Sequence, residues 1–313
     1  MRGLRSSVVI LFLLVSAGAR AGGDAWFGES GKLLATGGVS QVEGAGGGGL
    51  VPWALITGYE TKDGVGVTAH ETYLPTGDFT LHAPGIAVGL FDRVELSYAA
   101  DLFTIGNENL APGGLHKGYQ LHQDVYGLKV RVLGSAVYDQ DSWIPQIALG
   151  TMVKHSGNRA IDRLVGARSA TGADFYVAAT KLFLQYSLLA DATIRFTKAN
   201  QFGLLGFGGS SDSYRPHFEG SLAHLFSRRF ALGAEVRMKP ANDLQFAGVL
   251  PVEREESAYD LFAAYFLNKN LSLTLAYVNL GRVADVHLEP LGVHRSLEPH
   301  DQQGAYASLQ VAF

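Results

Sequence analysis

The sequence predicts an all-β protein: a transmembrane, antiparallel, up-and-down β-barrel of 12–14 strands, with short periplasmic turns and long extracellular loops. Three observations predict it. Segments in which apolar residues occupy every second position recur along the chain, each about long enough to cross a bilayer as a tilted strand. The connections between them alternate between short and long. The final residues, GAYASLQVAF, form such a segment and end on Phe313, whereas chain ends are ordinarily frayed and polar.

The chain opens MRGLRSSVVILFLLVSAGARA. Arg2 and Arg5 precede a short apolar core, and Ala19-Arg20-Ala21 is a small-x-small cleavage site. Residues 1–21 are therefore expected to be a cleaved secretory signal peptide. Removing its three arginines from the 25 Lys+Arg leaves 22 against 29 Asp+Glu, a net −7. That balance argues against nucleic acid as a partner. The chain has no cysteine, which excludes disulfides, thiolate-ligated metal and a thiol nucleophile. After the signal there is no apolar run of the ~18 residues a membrane helix needs.

Glycine is 39 of 313 residues, roughly 12% against a usual ~7%. Tyr and Phe, at 13 and 17, favour strands. Mean hydropathy is +0.10 although no segment is solidly apolar, as expected when apolar residues are spread over alternate positions.

Residues 22–50 form a Gly-rich N-terminal segment, read as a first strand or an internal plug; residues 51–313 are read as the barrel. Two candidate strands, 32–43 and 51–60, come before position 65 and decide between twelve and fourteen. Beyond them RVELSYAAD, YGLKVRVL, ADATIRFT, RFALGAEVRMK and LSLTLAYV each set an apolar face against a polar one. Short connections fall at 91–93, 185–187, 227–229 and 268–270, and long ones near 106–118, 156–172, 240–257 and 281–303. The count stays in phase if residues 188 to about 207 make one long ascending strand. Trp53, Trp143, Tyr59, Tyr265 and Tyr277 are candidates for interfacial girdles.

The stretches GKLLATGGVSQVEGAGGGGLVPWALITGY, DFYVAATKLFL, ANQFGLLGFGG and NKNLSLTLAYVNLG resemble DUF3034, a family of proteobacterial proteins of unknown function. The resemblance implies an outer-membrane barrel and carries no catalytic residue or substrate. In outer-membrane proteins generally, a last strand like this one, here Leu309, Val311 and Phe313, is the signal read by the barrel-assembly machinery.

With the apolar face turned to lipid, the polar face lines the lumen. The candidates there are Arg93, Glu95, Lys129, Arg131, Asp191, Arg195, Glu219, Glu235 and Arg237, joined by Tyr306, Ser308 and Gln310. Both signs are present, which fits either a structural ion network or a charged constriction, without strong ion preference. EGAGGGGL lacks the Gly-Lys-Ser/Thr of a phosphate loop. His287, His294 and His300 match no zinc spacing, so no metal or other cofactor is expected. Ser221 and His224 are close on one strand but on opposite faces, which is poor geometry for a lipid hydrolase. The expected protein is not an enzyme. It is a barrel in the bacterial outer membrane, surrounded by lipid, and a passive channel or uptake protein for a small or hydrophobic solute. The alternative is a structural or interaction barrel with a filled lumen.

Overall fold

The computed structural model describes residues 32, 38–60, 62–106, 116–252, 254–283 and 301–313. The signal peptide and the His287–His294–His300 loop lie outside the described residues.

Twelve antiparallel strands close into one barrel. In chain order they are β1 (Val65–Pro75), β2 (Phe79–Leu90), β3 (Val94–Ile105), β4 (Gln120–Leu133), β5 (Gln146–Ser156), β6 (Thr171–Phe183), β7 (Leu188–Thr197), β8 (Arg215–Ser227), β9 (Phe230–Arg237), β10 (Ala258–Phe266), β11 (Leu271–Asn279) and β12 (Gln303–Ala312). Each pairs with its chain neighbour, and β12 returns to β1 with Ala307 opposite Tyr73 and Ala312 opposite Thr68. Closure leaves no strand edge in lipid, where unpaired backbone groups would be costly. No helix among the described residues is long and apolar enough to cross a membrane.

The alternation read from the sequence is the wall of this barrel. On β7, Ile194 and Phe196 face outward while Asp191, Thr193 and Arg195 are buried inside. On β11, Leu275 and Tyr277 face outward while Ser272 and Thr274 are buried. Exposed aromatics collect at the two ends of the strands. Phe91, Tyr138, Trp143, Tyr186, Phe226 and Tyr265 mark the end that holds the C-terminus, and Tyr73, Phe175, Tyr214, Tyr259 and Tyr277 the other. Such belts belong at membrane–water interfaces. Trp53 and Tyr59, expected in the girdles, are instead buried inside the barrel, because their segment never enters the wall.

Three further expectations are corrected. Residues 51–60 are not a strand, so the barrel starts at Val65 rather than at 51, and fourteen strands give way to twelve. The ascending strand that begins at Leu188 ends at Thr197, and the chain then turns inward through a short helical turn at Asn200–Gly203. The phase of the count survives, because residues 198–214 still form an outer connection. The rule of connection lengths breaks twice: residues 76–78 make a tight outer turn, and residues 134–145 a long connection at the C-terminal end. The turn between β2 and β3 is as short as expected, with Phe91 and Asp92 both at positive φ (57° and 49°), the two-residue form that suits the twist of a hairpin.

Candidate functional site: the occupied lumen

Residues 38–60 lie inside the barrel. Val39, Leu50, Val51, Trp53 and Leu55 belong to the buried core, and Glu43 is 1% exposed. The segment is not part of the wall. Its two short strands, Val39–Ser40 and Gly46–Gly47, pair with each other and with no wall strand. Among the described residues, one backbone–backbone hydrogen bond joins it to the barrel, from Tyr59 N–H to the carbonyl of Phe313 (3.3 Å).

A chain buried in the lumen without partners in the wall sheet must satisfy its N–H and C=O groups another way. Here the wall side chains do it. Glu95 accepts from the N–H groups of Gly46 and Thr57 (2.9 and 2.8 Å), and Glu235 from that of Leu50 (2.6 Å). Lys129 donates to the carbonyls of Gly46 and Trp53 (2.8 and 3.0 Å) while holding Glu95 at 3.0 Å. Gln146 donates to the carbonyl of Ala54 and Thr193 to that of Pro52 (2.6 and 3.1 Å). The Thr180 hydroxyl accepts from Ala54 N–H (2.7 Å) and donates to Asp191 (2.5 Å).

The glycine run makes this docking possible. A Cβ on Gly48 would stand 1.8 Å from Glu235 Oε1, and one on Gly49 1.9 Å from the Tyr306 hydroxyl. At Gly47 the obstacle is backbone: a Cβ would lie 2.3 Å from the carbonyl oxygen of Val51 and 2.9 Å from Trp53 N. Gly47→Ala should therefore loosen the segment by about 1–3 kcal/mol, the usual range for overpacking. Limited proteolysis of the folded protein checks this, and an unchanged cleavage rate within residues 38–60 would refute it.

Toward the outer half, the segment contributes one carboxylate to an ion cluster. Glu43 takes both terminal nitrogens of Arg237 (2.8 and 3.1 Å) and the Lys154 ammonium (2.5 Å). Lys154 also holds Asp174 (2.6 Å), which holds Arg195 (3.2 Å). Arg195 reaches Glu219 through two nitrogens (2.5 and 3.2 Å), and Arg237 Nε contacts Glu219 at 3.2 Å. Lys154, Arg195 and Arg237 thus face Glu43, Asp174 and Glu219, charge for charge, with every side chain almost wholly buried. The inward-turned outer loop covers this cluster. The carbonyl of Phe202 accepts from Lys154 and Gln123 (2.9 and 3.1 Å), and the Arg237 guanidinium stacks 4.2 Å over the Phe202 ring.

Of the nine residues read as lumen-facing, Glu95, Lys129, Asp191, Arg195, Glu219, Glu235 and Arg237 are buried inside the barrel. Arg93 is not; it lies in the tight turn after β2 and is exposed. Arg131 pairs with Ala148 just before a register irregularity in β4–β5, and it binds Asp92 at the barrel's mouth beside Leu55 and Ile56 of the segment. Lys154 and Asp174 were missed: Asp174 sits between apolar Ala173 and Phe175 on β6, but Lys154 on β5 is followed by His155 and Ser156, which blur the alternation. Glu43 was missed because it is not on a wall strand. Ser221 is buried and His224 exposed, on opposite faces as expected.

At the end that holds the C-terminus, Lys32 ties the exit of the segment to the wall, reaching Glu60 at 3.3 Å and Asp92 at 3.0 Å. Burial pushes the Glu60 carboxyl up to about 7, with Lys32 opposing the rise. A carboxyl raised in the folded state stabilises it fully below about pH 4.5, and that contribution is lost as pH rises through about 7. The exit of the segment should therefore be protease-resistant at pH 5 and more readily cut at pH 8, and Glu60→Gln should flatten the profile. A profile that Glu60→Gln leaves unchanged would count against this assignment.

A family model matches residues 36–310, under the description protein of unknown function (DUF3034). The chain belongs to the DUF3034 family. No curated protein matches it. Among solved structures the DUF3034 chain is similar to the NanC porin (9% identity, TM-score 0.46, covering 78% of this chain and 98% of that one). It is similar also to the KdgM porin (8%, 0.44, 79% and 99%). A third is the toluene transporter TodX of Pseudomonas putida (9%, 0.39, 79% and 88%).

Proposed function

We propose that the protein is an outer-membrane conduit for a small solute, in which residues 38–60 are a plug that can leave the lumen without disturbing the wall. One observation carries this reading. The segment is held by wall side chains acting on its backbone and on Glu43, and by apolar packing, and it contributes no strand to the sheet. Releasing it would break side-chain hydrogen bonds and ion pairs and leave all twelve strand pairings intact. The experiment is planar-bilayer conductance of the refolded mature protein with and without the segment.

A second reading has its own support. The balanced cluster of Lys154, Arg195 and Arg237 with Glu43, Asp174 and Glu219 could lock a permanently filled structural barrel. Silence from the folded, plug-free barrel would favour it.

The expected residence is the bacterial outer membrane, after export through the signal peptide and delivery to the assembly machinery. Phe313 makes a backbone pair with Val67 (2.8 and 3.1 Å), and its carbonyl also accepts from Tyr59. Deleting Phe313 should weaken the refolded barrel modestly, by about 1 kcal/mol for each hydrogen bond lost. Folded barrel in cells should fall much further if Leu309, Val311 and Phe313 are an assembly signal. Heat-modifiable gel mobility measures both, and equal losses in cells and in refolding would remove the signal role.

A further inference from the structure

Between the plug and the inward-turned outer loop lies a cavity of about 60 Å³. A single water needs roughly 10–15 Å³ on such a measure, so there is room for a few waters or one small ring. Its wall is mostly apolar, with Leu74, Leu81, Phe103, Val278 and Leu280 from β1, β2, β3 and the end of β11. Leu50 closes it from the plug side and Phe202 from the loop side. Most of its polar neighbours are committed elsewhere: Arg237 to Glu43 and Glu219, Gln123 to the carbonyl of Phe202, and Tyr306 to Asp260.

Asp101 is the exception. It sits on the inward face of β3, two residues from Phe103 and opposite Gln123, and it lines the cavity. Its Oδ1 is buried and has no hydrogen-bond partner. A buried carboxyl oxygen left without a hydrogen bond is costly, and an apolar wall supplies none.

We propose that this cavity binds a compact, ring-sized apolar molecule carrying one hydroxyl, with the ring against Leu74, Leu81, Phe103 and Leu280 and the hydroxyl donating to Asp101. The inference rests on the conduit reading and names its class of solute. Few polar groups with precise placement inside a largely apolar chamber is the common form of a small-molecule site.

The test uses 4-fluorophenol and fluorobenzene, which differ by the hydroxyl, titrated into the refolded mature protein and followed by fluorine NMR against protein-free detergent. Saturable binding of 4-fluorophenol about tenfold tighter than fluorobenzene is expected, near the upper end of what an ordinary buried hydrogen bond contributes. Asp101→Leu should erase that difference. Leu280→Phe should abolish both, in protein whose gel mobility shows it folded. Equal affinities in the unmodified protein, or no saturable binding, would overturn the site. So would a preference that survives Asp101→Leu. The conduit reading fails separately: saturable binding beside a silent plug-free barrel overturns the conduit and leaves the site, while a conducting barrel without binding overturns the site alone.

Discussion

Removing residues 22–60 from the mature protein should convert a silent barrel into one that conducts. The intact lumen is filled: Val51, Ala54, Thr57 and Glu60 are all under 5% exposed, and wall groups on at least six strands reach into the plug. Taken out, the plug leaves a twelve-strand bore, between the filled barrels of about eight strands and the open channels of sixteen or more. Water would enter around the carboxylates of Glu95, Asp174, Asp191, Glu219, Glu235 and Asp260 and the cations of Lys129, Lys154, Arg195 and Arg237. With both signs on the wall, only weak ion selectivity is expected. The outer loop remains in place through Phe202 and should interrupt the current with closures. The decisive result is discrete conductance steps in the truncated protein and none in the intact one. Steps of equal size in both would mean the segment does not block the path. A silent truncated barrel with the gel mobility of a folded one would leave a structural role.

The wall of this barrel is legible in the sequence because lipid imposes a strict rule on it. Every second residue must be apolar, so Ile194 and Phe196 against Asp191 and Arg195 declare a strand without any knowledge of partners. The contents of the lumen obey no such rule. Residues 51–60, VPWALITGYE, look strand-like because Val51, Trp53 and Leu55 are apolar and alternate, but they are buried against the inner wall, whose floor is itself apolar at Leu189, Ala223, Ala231, Phe262 and Phe266. Pro52, which has no N–H for a ladder, is the one local hint against a wall strand. The inward turn after Thr197 is likewise set by tertiary contacts, with Asn200 side-chain bonds to the carbonyls of Leu205 and Gly208 (3.3 and 2.9 Å). Arg93 is not a lumen residue because alternation loses its meaning in a tight turn, and Arg131 faces inward only at the barrel's mouth, beside a register shift. The central cluster was half visible: Arg195, Glu219 and Arg237 stand on wall strands, but the carboxylate that completes it comes from the plug.

That carboxylate is where a single substitution should do most. Glu43→Gln keeps shape and hydrogen-bonding atoms and removes one charge from a balanced set of three pairs. Lys154, Arg195 and Arg237 would then face only Asp174 and Glu219, at distances of 2.5–3.2 Å in a site almost without solvent. Breaking a buried pair from one side generally costs about 3–5 kcal/mol, because the stranded charge cannot be solvated where it stands. The barrel has a way out that an ordinary core lacks: the plug can leave, and water can reach the cations. The cost should therefore appear as loss of the plug and not as unfolding of the sheet. Glu43→Gln should open intermittently in bilayers and expose residues 38–60 to protease, while its gel mobility stays that of the folded barrel. Pairing it with Lys154→Met restores the charge balance and should recover much of the plug's protection. If instead Glu43→Gln unfolds the whole barrel, the plug is part of the folding core. If it changes neither conductance nor protease sensitivity, the plug is held by its backbone contacts to Glu95, Lys129 and Glu235, and the cluster stabilises only the wall.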